Sequence, residues 1–147
     1  MPSHPVILWA EDNAQDRLLI QESVEAPGPG QGLTLVADGV LLLESLELAR
    51  PDLVVLDLKM PRLGGLEALR RIRDRPDWRD LRVVVFSSGN RPEEIEHCAI
   101  LGVDAYVQKP VDFDAFSDAV QRIVRSARPE MFGGMPQSSV PVSDGVT

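Results

Sequence analysis

Leu53-Val54-Val55-Leu56-Asp57 is a run of four apolar residues that ends without transition on an acid. A run this short is strand length, and with no polar alternation it has to be covered on both faces. The chain repeats the pattern. Val6 to Ala10, Leu33 to Ala37, Leu53 to Leu56, Val83 to Phe86 and Ala105 to Val107 are five such runs, separated by segments of about 10 to 15 residues with helical periodicity. Alternating elements with doubly covered strands predict an α/β fold: a doubly wound, five-stranded parallel sheet, since right-handed crossovers place helices on both faces. In the expected order 2-1-3-4-5, strands one and three flank the point where the winding reverses, and ligands bind outside their carboxyl ends.

The helices carry their own punctuation. Phe116, Ala119, Val120, Ile123 and Val124 form an i, i+3, i+4, i+7, i+8 stripe, with Asp114 in the first turn and Arg122, Arg125 and Arg128 toward the end, as the macrodipole favours. Asp38 before Gly39 is positioned to cap the second helix. Pro92 with Glu93 and Glu94 opens the fourth, and Gly102 closes it.

Placed on that sheet, four side chains meet. Glu11 and Asp12 end the first run, Asp57 ends the third, and Lys109, followed by Pro110, ends the last. Three carboxylates about 5 Å apart repel by about 3 kcal/mol per pair at an effective dielectric of 20, so the cluster calls for a cation. Hard oxygen ligands suit Mg²⁺, or Mn²⁺, and three carboxylates, a dication and one ammonium sum to zero charge, which lets the site accept an anionic phosphoryl group. Taken singly, Asp12 also suits a helix cap and Glu11 a surface charge. Asp57 is harder to read as decoration, because an unpaired charge directly after such a strand is costly. The chain has 13 Arg and only two Lys, so an ammonium at the end of strand five fits phosphate coordination better than solubility.

Glu11-Asp12-Asn13, Asp57-Leu58-Lys59-Met60-Pro61 with Gly65, Ser87-Ser88 and Lys109-Pro110 together resemble the receiver domain of two-component response regulators, over roughly Val6 to Arg125. The resemblance implies the flavodoxin-like topology and a phosphoacceptor role for Asp57. It implies a metal held by Glu11, Asp12, Asp57 and the carbonyl of Lys59, with Lys109 gripping a phosphoryl oxygen. Ser87 and Tyr106 would form the switch pair, the Lys109–Pro110 bond would be cis, and the donor would be a sensor histidine kinase. Glu11-Asp12-Asn13 with Asp16, and Lys109-Pro110-Val111-Asp112 leading into Phe113 and Phe116, look most similar to single-domain regulators paired with bacterial phytochrome kinases. That group implies a homodimer through helix four, strand five and helix five. The expected layout is an N-terminal segment 1–5, a receiver domain 6–127 and a tail 128–147 without an output domain.

Other readings are weaker. A haloacid-dehalogenase-type phosphatase needs a second acid two residues after its nucleophile, where this chain has Lys59. A flavodoxin-like flavin carrier needs a first loop that cradles phosphate, and Glu11-Asp12 would repel one. A chemotaxis-type receiver acting on a motor or adaptor is the runner-up within the family.

Composition narrows the partners further. A net charge of -8 without a Lys/Arg stripe speaks against nucleic acid and anionic membranes. Cys98 is the single cysteine, which excludes an intrachain disulfide and a zinc cluster, and reads as a small core residue on a helix. The first residues lack a basic n-region and the apolar run breaks at Glu11, so a cytoplasmic protein is expected. Pro27-Gly28-Pro29-Gly30-Gln31-Gly32 follows a helix and precedes a strand, the reverse of a dinucleotide loop, and reads as a surface turn. The segment after Arg128, rich in Pro, Gly and small polar residues, cannot build a core, although Met131, Phe132 and Met135 offer it contacts.

Overall fold

The computed structural model describes residues 5–25 and 32–127; the Gly-rich turn up to Gln31 and the tail from Arg128 lie outside them. Ten elements alternate: β1 (Val6–Ala10), α1 (Ala14–Glu25), β2 (Gly32–Val36), α2 (Gly39–Leu48), β3 (Leu53–Leu56), α3 (Gly65–Asp74), β4 (Val83–Ser87), α4 (Pro92–Ile100), β5 (Ala105–Gln108) and α5 (Phe113–Ser126). The strands form one sheet in the order β2-β1-β3-β4-β5, every pair parallel. This is the doubly wound, flavodoxin-like topology expected from the sequence. β2 begins one residue earlier than its apolar run and stops before Ala37.

The strand period of two sorts side chains into two cores. Leu8, Ala10, Val54, Leu56, Val83, Val85 and Tyr106 face α2, α3 and α4, where Leu42, Leu46, Leu69, Ile72, Ile95 and Cys98 meet them. Ile7, Trp9, Leu53, Val55, Val84, Phe86 and Val107 face α1 and α5, against Ile20, Val24, Phe116, Val120 and Ile123. All four residues of β3 are fully buried, so each apolar side chain contributes about 1.5–3 kcal/mol. That uniform burial is the physical reason the run shows no alternation. Burial pushes the Cys98 thiol up to about 12, with the charge of Glu94 adding to it, so the cysteine is the inert core residue expected.

Caps fall where the sequence put them. Asp38 Oδ1 accepts the Leu41 amide at 2.9 Å at the start of α2, Pro92 occupies the first turn of α4, and Gly102 takes φ 72° just past its end. Arg73 holds that end, its guanidinium donating to the carbonyls of Leu101 at 2.7 Å and Gly102 at 3.0 Å. Register then fixes the upper edge of the sheet. Ala10 pairs with Leu56, so Glu11 and Asp57 emerge side by side, and Ser87 pairs with Gln108, one residue before Lys109.

Candidate functional site at the carboxyl edge of the sheet

Backbone bonds carry the ladder past the strand ends and aim the site residues. The Glu11 amide donates to Val36 O at 2.9 Å, the Asp57 amide to Ala10 O at 3.2 Å and the Lys109 amide to Ser87 O at 2.8 Å. Gly65 closes the loop after Asp57. Its amide reaches Leu58 O at 2.9 Å, and a Cβ there would lie 2.0 Å from the Asp57 carbonyl oxygen, so only glycine allows α3 to start this close.

The structure brings Glu11, Asp12, Asp57 and Lys109 together. One carboxylate oxygen from each acid lies within 4.8 Å of the others. Lys109 Nζ stands 2.8 Å from Glu11 Oε1, 2.8 Å from Asp57 Oδ2 and 2.9 Å from Asp16 Oδ2. Asp57 Oδ1 accepts the Lys59 amide at 3.2 Å, and the carboxylate is nearly buried. Glu11 is fully buried and not a surface charge. Burial pushes its carboxyl up to about 7 against the pull of Lys109, and the charge of Asp57 adds to the rise. For Lys109, burial lowers the pKa but the bonds to Asp57, Glu11 and Asp16 outweigh it, so the ammonium is held above its ordinary range.

These groups fit a divalent cation. Glu11 Oε1 is buried and meets Lys109 as an ion pair without the alignment of a hydrogen bond, Asp12 stands exposed beside it, and one ammonium cannot offset four carboxylates. Asp12 is also free of the alternative role. The cap of α1 belongs to Asn13, whose Oδ1 accepts the Asp16 amide at 2.9 Å.

Ser87 and Tyr106 meet at the other side of the cleft. Ser87 is buried as the last residue of β4, and its Oγ accepts the Gly89 amide at 3.4 Å. The Tyr106 hydroxyl donates to the Gly89 carbonyl at 2.7 Å, and the ring is fully buried among Val85, Ile95 and Cys98. Burial pushes that phenol up to about 12.

One expectation is corrected. The Lys109–Pro110 bond is trans, with no cis peptide among the described residues. X–Pro bonds separate the two isomers by only about 0.5–1 kcal/mol, and the trans chain already delivers Nζ to three carboxylates. Asp16 was missed as a Lys109 partner. Its place in the first turn of a helix beginning just after Asp12 is the signal that could have found it.

A doubly wound sheet with an acidic cleft at its switch point, reached by one lysine from the end of β5, defines a class of α/β domain with a candidate cation site. A family model described as the response regulator receiver domain matches residues 7–121, and the chain belongs to that family. It is 32% identical over 124 residues to the response regulator MprA of Mycobacterium leprae, covering 84% of this chain and 53% of that one. The chain thus spans about half the length of the curated relatives it matches. Among solved structures, the phosphorylated cyanobacterial phytochrome response regulator RcpA superposes with a TM-score of 0.80 at 30% identity, covering 84% of this chain and 94% of the other. The Mn²⁺-bound response regulator Rcp1 gives 0.77 at 28%, covering 88% and 94%.

Proposed function

We propose that the chain accepts a phosphoryl group from a sensor histidine kinase onto Asp57 in a Mg²⁺-dependent step, and signals through the modified state rather than turning over a substrate. The observation that carries this reading is Lys109 Nζ at 2.8 Å from Asp57 Oδ2, with Glu11 and Asp12 in the same cleft. A nucleophile, a phosphate-binding cation and two spare carboxylates then share one site.

An Asp57 oxygen attacks the phosphorus of a phosphohistidine in line. The P–N bond breaks, the imidazole nitrogen leaves with the electron pair, and Asp57 carries an acyl phosphate. Lys109 holds one oxygen of the transferring group as a point charge, and Ser87 hydrogen-bonds another once it is attached. Glu11, Asp12, Asp57 and the Lys59 carbonyl would hold Mg²⁺, or Mn²⁺ in its place, and the metal would supply neutralisation of charge on the transferring oxygens. Ser87 and Tyr106 share Gly89, so a shift of the serine toward the phosphoryl group remakes the loop that Tyr106 holds, and with it the face of α4, β5 and α5.

The likeness to RcpA supports a bacterial phytochrome kinase as the donor, and the cytoplasm is the proposed location. Residues 6–127 act as the receiver unit. The α4, β5 and α5 face is the proposed homodimer contact; Ile100 on α4 and Phe113 on α5 are exposed large apolar side chains on its two helices. Sedimentation showing a monomer at tens of micromolar, with and without a phosphoryl mimic, would remove the dimer from the account. Nucleic acid and membranes are not among the proposed partners, and no helix among the described residues is long and apolar enough to cross a membrane. Phosphotransfer from a candidate kinase to wild type and to Asp57→Asn tests the reading: label on the first and none on the second is expected, and equal labelling refutes it.

A further inference from the structure

The Lys109 ammonium has three N–H bonds, and three carboxylates already surround it: Glu11 at 2.8 Å, Asp57 at 2.8 Å and Asp16 at 2.9 Å. The bonds to Asp57 and Asp16 are aligned hydrogen bonds and Glu11 is held as an ion pair, so a phosphoryl oxygen on Asp57 competes with these carboxylates for the ammonium. Glu11 is fully buried, so water cannot take the place of the ammonium beside it. Asp57 stays beside Lys109 because it carries the new group. Asp16 differs from both. It sits in the first turn of α1 with 24% of its side chain exposed, so water can replace the ammonium at little cost.

We infer that Asp16 is a positioning residue that holds the Lys109 amine while Asp57 is unmodified and yields it to the phosphoryl group. It thereby competes with that group and sets how firmly the modified state is held. The inference rests on the phosphoacceptor reading of Asp57. Two consequences follow from the geometry. Neutralising Asp16 leaves Lys109 held by Glu11 and Asp57 and removes the competitor, so phosphoryl mimics bind more tightly. Modification also frees the start of α1 from the end of β5, a contact that spans 93 residues of sequence.

The test uses beryllofluoride, a phosphoryl mimic, titrated into the full chain with saturating Mg²⁺ for wild type, Asp16→Asn and Asp16→Glu. The chain contains only Lys59 and Lys109, so the ¹⁵Nζ signal of Lys109 can be followed directly, together with the ¹³Cγ signal of Asp16. The expected result is half-saturation at about threefold lower concentration for Asp16→Asn, the scale of a partly exposed ion pair, with Asp16→Glu restoring the wild-type value. In wild type the Asp16 carboxylate signal should move to that of a solvated aspartate as the mimic binds. Unchanged or weaker binding by Asp16→Asn, or an Asp16 signal that stays put while wild type saturates, overturns the inference alone. Failure of wild type to bind the mimic overturns the phosphoacceptor reading and this inference with it.

Discussion

The hydroxyl of Tyr106 donates to the carbonyl of Gly89 at 2.7 Å, so the aromatic of β5 lies inside the fold and straps the loop that leaves β4. Ser87 holds the amide of the same glycine through its Oγ. One residue of the loop is thus held from both sides, its amide by the last residue of β4 and its carbonyl by the aromatic of β5.

Tyr106→Phe keeps the ring and removes only that donor. It should lower stability by about 1 kcal/mol, the net worth of one neutral hydrogen bond, read as a shift of the urea midpoint at constant slope. Amide exchange at residues 88–91 should accelerate more than exchange in β3. Equal protection of the loop in wild type and variant would show that the strap does not hold it.

Gly65→Ala should cost about 1–3 kcal/mol, because the added methyl would overlap the Asp57 carbonyl and the neighbour in the way is backbone. The displaced loop carries Asp57 and Lys59, so Mg²⁺ affinity should fall together with stability. Calorimetric titration of the metal, beside a thermal melt, checks both. A stable variant with unaltered affinity would show that the close approach does not position the site.

Asp38 gives the fold an acid limb. The side chain of Arg62, bonded at 2.9 Å, and then the Leu41 amide hold its carboxyl below the ordinary 3.8. The folded state therefore binds fewer protons than the unfolded chain. The stability from this group is present above about pH 4 and is lost as the pH falls below that value. Asp38→Asn keeps a capping oxygen and removes the charge, so its stability should vary less with pH between about 5 and 3 than the wild type's. The difference should shrink in high salt, since Arg62 is more than half exposed. Parallel acid limbs would refute the assignment.

What was legible in the sequence is what local chemistry dictates. β3 is covered on both faces, so Leu53 to Leu56 had to be unbroken, and the strand ends alone place Glu11, Asp57 and Lys109 along one edge. Asp38 and Gly102 announced themselves because capping chemistry is local. The Asp16 contact with Lys109 was hidden because it depends on how α1 lies against the end of β5, which no periodicity encodes. Arg62 was hidden for a similar reason. It adopts φ 66°, a conformation costly for a side-chain-bearing residue, and its pairing with Asp38 crosses 24 residues of sequence. The Lys109–Pro110 bond, cis by resemblance, is trans, and the two forms lie too close in energy for the sequence to decide between them.

The most direct measurement of the central claim is the site of modification. Wild type is incubated with Mg²⁺ and a phosphorylated kinase, trapped by borohydride reduction of the acyl phosphate, and mapped by peptide mass spectrometry. Reduction of one side chain, that of Asp57, is expected, and it should disappear when Mg²⁺ is chelated. Reduction at Asp12 or another carboxylate with Asp57 untouched would contradict the claim.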